Sequence, residues 1–162
     1  DSEIKLLQFG GSQFGNEKSQ KFDKLLKSAD INGEAIEDID KAIWGKFIFI
    51  SSLATLTSFL DTNAGGINSS VENQQLLNDL IGEVTHLAKA KKINVDENIA
   101  QMTFERIKGL SGEITSSMHS DFMRKGKTEV ETLTGFVVRE AELLKIATPV
   151  YARLYEDLRK RN

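Results

Sequence analysis

The sequence predicts an all-α domain preceded by one short strand. Three observations carry that prediction. A single proline occurs in 162 residues, and proline is the residue that most firmly interrupts a helix. Apolar residues recur at three- and four-residue spacing, as in Leu76, Leu77, Leu80, Ile81, Val84, Leu87 and Ala88, which is the pattern of one buried helix face. Strand-like character is confined to residues 4–9, where it ends at Gly10-Gly11.

Taken in order, residues 17–29 form an amphipathic helix with Phe22, Leu25, Leu26 and Ala29 on one face. Asn32-Gly33 marks a turn, and a long apolar helix is expected over 36–60, closed by the polar and glycine-rich stretch 61–66. Ser69-Ser70, followed by Glu72 and Asn73, opens a helix that continues to Lys92. Asp96 serves as N-cap of a shorter helix over 97–110 that stops near Gly109. A polar joint follows from Thr115, and apolar periodicity resumes over 129–144. Thr148-Pro149 supplies a cap and a first-turn proline for a last helix reaching Arg161.

Composition removes several function classes. A net charge of -3 gives no electrostatic reason to expect a nucleic-acid or acidic-membrane partner. With no cysteine there is no disulfide framework, thiol nucleophile or zinc-thiolate site. Two histidines, His86 and His119, are too few for a histidine-rich metal site, and no metal is expected. The N-terminus lacks a basic segment followed by a long apolar core, so it does not read as a signal peptide. The most apolar stretch, 42–60, contains Lys46 and many Ser and Thr, and reads as a buried helix with no membrane span expected. Gly10, Gly11 and Gly15 follow a strand but match neither GxGxxG nor GxxxxGK[ST]. The chain therefore carries no evident nucleotide-binding motif, and its abrupt entry into a strand suggests a piece of a longer protein.

Five residues are weighed as candidates for chemistry or binding. Lys46 lies within the apolar run 42–50, and burial of an ammonium makes it a usable proton donor near neutral pH. The same pattern also suits a lysine whose stem packs on the helix while its head reaches water. Glu129 follows Thr128 at a helix start, where a carboxylate either favours the helix dipole or faces a ligand. Ser116 and Ser117 suit helix N-caps, with Asp121 then in the first turn, and suit a binding cleft equally. Glu83 is an acidic residue in an apolar-rich helix, open to solvent or cleft. His86 and His119 have no acidic or histidine partner at ligand spacing, and read as surface or core residues.

Three segments together carry a family resemblance: WGKFIF at 44–49, TSSMHSDFMRKGKTEVETLTGFVV at 115–138 and IATPVYARLYEDL at 146–158. In this order they resemble the C-terminal domain of ketopantoate reductases (2-dehydropantoate 2-reductases). The resemblance implies the all-α fold of the 6-phosphogluconate dehydrogenase C-terminal-like type over residues 12–162, with residues 1–11 left from an N-terminal Rossmann domain. It implies a cytoplasmic NADPH-dependent reduction of ketopantoate to pantoate, on the way to pantothenate and coenzyme A. NADPH is then bound mainly by the N-terminal domain, and the chain alone is inactive.

By position in the motifs, Lys46 resembles the general acid, Glu129 the glutamate beside substrate and cofactor, and Ser117 a substrate-binding serine, with Glu83 a weaker candidate on the same cleft. The partners implied are a small 2-keto acid, the Rossmann domain and a homodimer mate. Ile50 and Ala54 stand one and two turns after Lys46, where many members of the family have asparagine. A paralogue acting on another 2-keto acid, or a non-catalytic helical dimerisation module, stays open beside the main reading.

Overall fold

The computed structural model describes residues 6–11, 15 and 17–161. The chain divides into two compact units, Asp1–Ile43 and Trp44–Asn162.

The smaller unit holds β1 (Leu7–Gly10), α1 (Glu17–Ser28) and β2 (Gly33–Ile36). The two strands are parallel, with Leu7 opposite Gly33 and Gly10 opposite Ile36, and α1 lies between them in the chain. Parallel strands require such a crossover. Gly33 is needed for a close approach: a Cβ there would lie 2.5 Å from Leu26 Cδ1, and Leu26 is the buried residue of α1. Phe9 and Phe22 meet edge to face with centroids 4.9 Å apart. The sequence reading expected one strand and took Asn32-Gly33 for a turn. The structure corrects this: 33–36 pairs with β1, a long-range partnership that four residues of mixed character, Gly-Glu-Ala-Ile, do not announce. The first residues of the expected strand, Ile4 and Lys5, lie outside the described residues.

Helix α2 (Ile39–Leu60) enters the larger unit at Trp44 and is followed by α3 (Ala64–Asn68), α4 (Val71–Ala90), α5 (Ile99–Lys108), α6 (Ser117–Met123), α7 (Val130–Leu143) and α8 (Pro149–Arg161). All-α describes this unit. Its core joins Ile48, Leu53 and Leu56 of α2 to Leu77, Leu80, Ile81, Val84 and Leu87 of α4, with Val137 and Ala141 of α7 and Tyr151 and Leu154 of α8. Burying such side chains contributes about 1.5–3 kcal/mol each. Helices α7 and α8 pack closely at Gly135, where a Cβ would stand 2.9 Å from the Tyr155 ring.

Helix α2 is long and apolar enough to cross a membrane by length and composition. Its segment 51–58 is nevertheless buried within the chain. The hydroxyls of Ser51, Ser52, Thr55 and Thr57 meet partners from three other helices or their caps, whereas the buried Ser58 Oγ has none among the described residues. Ser51 Oγ lies 2.8 Å from Tyr151 Oη, Thr55 Oγ1 lies 2.8 Å from Thr134 Oγ1, and Thr57 Oγ1 lies 2.8 Å from Ser116 Oγ. Buried hydroxyls need such partners, and these tie α2 to α8, α7 and the start of α6. Full burial pushes the Tyr151 hydroxyl up to about 12, against the pull of its bonds to Ser51 and Ser52.

Element ends differ slightly from the sequence reading. Part of the stretch 61–66, expected to close the long helix, instead opens the short helix α3, capped by Asn63 Oδ1 accepting from Gly66 N. Ser70 caps α4 as expected, through Asn73 N. The residue at the N-cap position of α5 is Asn98 rather than Asp96.

Candidate active site

The stripe Lys46, Ile50, Ala54 runs along one side of α2 at four-residue spacing, which brings the three onto one face. Ala54 is buried in a small cluster with Met118 of α6, Val130 of α7 and Leu158 of α8. Met118 directly follows Ser117, and Val130 directly follows Glu129. Packing against Ala54 thus brings both ends of the polar joint to the level of α2 two turns beyond Lys46. Eight residues of helix rise amount to about 12 Å, a gap on the scale of a small substrate plus the reach of a lysine.

Local sequence sets each end. Ser116, not Ser117, is the N-cap of α6: its backbone is extended, and its Oγ accepts from His119 N at 3.0 Å. Ser117 is therefore the first helical residue, and it is exposed. Asp121 falls in the second turn, where it pairs with Arg124 at 3.2 Å, rather than in the first turn as the sequence reading had it. Helix α6 ends with Lys125 in the left-handed region, φ 53°, and Gly126 N donates to Asp121 O at 2.8 Å, a six-residue closure that reverses the chain. Glu129 then stands at the N-cap position of α7. Its backbone oxygen accepts from Leu133 N at 2.9 Å, and its side chain makes no cap bond. The exposed carboxylate is left for other partners beside a helix N-terminus.

Lys46 is exposed, so the enclosure that the apolar run 42–50 promised is not formed around it. Its flanking aromatic residues turn instead to α7: Phe47 and Phe136 meet edge to face at 5.3 Å, and Trp44 and Phe136 lie 6.3 Å apart. Ile50 is half-buried and Ala54 is buried. Glu83 has a structural engagement. Its two carboxylate oxygens accept from Val150 N at 2.8 Å and Tyr151 N at 2.9 Å, capping α8. Burial pushes its carboxyl above the ordinary 4.5, opposed by those two bonds. That engagement leaves little of Glu83 for a substrate.

Sequence reasoning missed the partners of His119. The ring is nearly buried, with Nε2 2.8 Å from Asp61 Oδ1 and Nδ1 2.7 Å from Thr115 Oγ1. Asp61 lies 58 residues away, and local spacing holds no signal for such a pair. Asp61 also lines a cleft of about 480 Å³ with Phe122, Lys125, Thr128 and Arg161. Lys46, Ser117 and Glu129 are not among its lining residues. Among the described residues no group of His, Asp and Glu is placed to hold a metal ion.

Comparison with known proteins bears on this arrangement. Residues 38–162 match the family model described as ketopantoate reductase PanE/ApbA C terminal. An uncharacterized oxidoreductase, YkpB of Bacillus subtilis, is 28% identical over 120 residues, covering 74% of this chain and 40% of that protein. The 2-dehydropantoate 2-reductase of Vibrio cholerae is 29% identical over 123 residues, covering 75% of this chain and 41% of that protein. Among solved structures, the dimeric ketopantoate reductase of Staphylococcus aureus superposes with a TM-score of 0.87 at 22% identity, over 99% of this chain and 54% of that one. At that identity the likeness speaks to the fold. The chain spans about two fifths of the length of the curated relatives it matches.

Proposed function

Because the chain belongs to the ketopantoate reductase family through its C-terminal domain, we propose that it forms the substrate-binding side of a 2-keto acid reductase. In this reading Lys46, Ser117 and Glu129 carry the chemistry. The observation that supports it best is the packing of Met118 and Val130 on Ala54, which aligns both ends of the joint with the stripe that begins at Lys46.

The reduction adds hydride to the carbonyl carbon of the 2-keto acid and a proton to its oxygen, giving the 2-hydroxy acid. NADPH, held mainly by an N-terminal nucleotide-binding domain, supplies the hydride. The residues of this chain orient the acceptor and deliver the proton. Lys46 donates an N–H to the keto oxygen and passes its proton as negative charge develops there, a contribution of about 10²–10⁴-fold for a positioned acid. Ser117 hydrogen-bonds the substrate from the first turn of α6. Glu129 accepts from a hydroxyl of substrate or cofactor, a role its uncapped and exposed carboxylate suits. The enclosure that Lys46 lacks within this chain comes from substrate and the second domain closing over α2, which excludes water at the reacting atoms.

A second reading concerns the substrate. Half-buried Ile50 and buried Ala54 offer no hydrogen bond between Lys46 and the joint. A polar group placed against them would lose its water without gaining a partner, a cost of about 1–3 kcal/mol. These two positions favour a 2-keto acid with an apolar side chain over ketopantoate, which carries a hydroxyl. The test is NADPH oxidation by the full-length protein with ketopantoate and with a panel of branched apolar 2-keto acids. Turnover with any of them supports the reductase reading, and preference for an apolar acid supports the second. No oxidation with any 2-keto acid overturns both.

A further inference from the structure

We propose that His119 is a positioning residue that holds the first turn of α6, and with it Ser117, against the end of α2. The inference rests on Ser117 being a substrate contact. Three bonds converge on this histidine. Its backbone N–H donates to the N-cap Ser116 Oγ at 3.0 Å, its Nε2 meets Asp61 Oδ1 at 2.8 Å, and its Nδ1 meets Thr115 Oγ1 at 2.7 Å. Ser116 Oγ continues to Thr57 Oγ1 at 2.8 Å, and Thr57 Oγ1 donates to Leu53 O at 2.7 Å. Thr115 Oγ1 lies 3.2 Å from Thr62 O. The ring therefore joins Asp61, just beyond α2, to Thr115 at the start of α6, while the backbone N–H of the same residue reaches the last turns of α2 through Ser116. Two residues away, Ser117 has its own side chain in the open.

Counting hydrogens sharpens the role. A carboxylate only accepts, so Nε2 carries a proton toward Asp61. With Nδ1 unprotonated, the single Thr115 hydroxyl proton faces two acceptors, Nδ1 and Thr62 O, and serves one. With Nδ1 protonated, the ring donates to Thr115 and the hydroxyl is free to donate to Thr62 O. The charged group facing the ring is Asp61, and the cations sharing a cleft with Asp61 are Lys125, beyond α6, and Arg161 of α8. Arg161 is already engaged with Asp157 and with Phe59 O at 3.1 Å.

The experiment combines amide hydrogen exchange with steady-state kinetics on the full-length protein, using the best 2-keto acid of the panel. His119→Leu is expected to speed exchange at 117–120 and to raise KM about five- to tenfold, the worth of one net hydrogen bond, with kcat changed less than about twofold. His119→Gln keeps a donor where Nε2 stands and recovers part of both; it also guards against a Leu variant that fails to fold. Unchanged exchange at 117–120 overturns the proposal, as does a KM rise in Ser117→Ala that neither His119 variant shares. If Ser117→Ala leaves KM unchanged, the substrate role of Ser117 fails and the positioning role falls with it.

Discussion

At the scale of single residues, Glu83 shows how one side chain can look functional in sequence and be structural in space. It sits on α4 among apolar neighbours, and its two oxygens cap α8 through Val150 N and Tyr151 N. Loss of a helix N-cap costs about 0.5–2 kcal/mol, so Glu83→Ala is expected to lower unfolding free energy by that amount in chemical denaturation. Its pH behaviour follows from the direction of its shift. Burial holds the folded carboxyl above the ordinary 4.5, so between 4.5 and that raised value the folded state binds more proton than the unfolded. Stability from this group is complete below 4.5 and falls as pH rises through the raised value. Glu83→Gln removes that slope, and denaturation midpoints measured from pH 4 to 7 should diverge between the two proteins over that window. Parallel curves would show that Glu83 is not the titrating group. Nothing in the sequence pointed to this cap, because its two halves are 67 and 68 residues apart.

At the scale of elements, the helix stops explain which boundaries were readable. Starts were legible where a side chain caps its own helix, as at Ser70 and Ser116. Stops at Ala29, Lys92 and Leu144 were legible from where the apolar periodicity ends, and several helices stop on a non-glycine residue in the left-handed region: Asp30, Asp61, Lys92, Lys125 and Lys145. The closing bonds have one form, with Ile31 N to Leu26 O, Ile93 N to Ala88 O and Ile146 N to Ala141 O. In each of these three, isoleucine follows the left-handed residue and its N–H closes on the carbonyl of an apolar residue, Leu26, Ala88 or Ala141. The marker is therefore a polar residue followed by isoleucine, and a search for glycine overlooks it. A left-handed conformation costs a non-glycine residue about 1–2 kcal/mol. Lys145→Gly, away from the proposed site, is accordingly expected to stabilise the domain by about 0.5–1 kcal/mol in a thermal melt, after the entropy glycine adds to the unfolded chain is set against the relief. A lower melting temperature would mean that Lys145 holds the stop by some contact beyond its backbone.

At the scale of the whole molecule, the family and the helical architecture were legible because three motifs recur in a fixed order: the lysine helix, the Ser-Ser-Met to Thr-Glu joint, and the Thr-Pro start of the last helix. The strand β2 and the His119–Asp61 pair were not, since both depend on partners distant in sequence. The proposed site was legible in part. The family resemblance, not spacing alone, supplied Lys46, Ser117 and Glu129, while Lys46 is exposed among the described residues of a chain that covers about two fifths of its curated relatives. The central claim, that α2 and the α6–α7 joint form the proton-donating wall of a 2-keto acid reductase, rests on Lys46. The most direct measurement is kcat of Lys46→Ala in the full-length protein, with the best 2-keto acid and NADPH at saturation. The account predicts a fall of about 10²–10⁴-fold, with the fold intact by circular dichroism. A variant that turns over within about twofold of the parent would remove Lys46 from the chemistry and contradict the account.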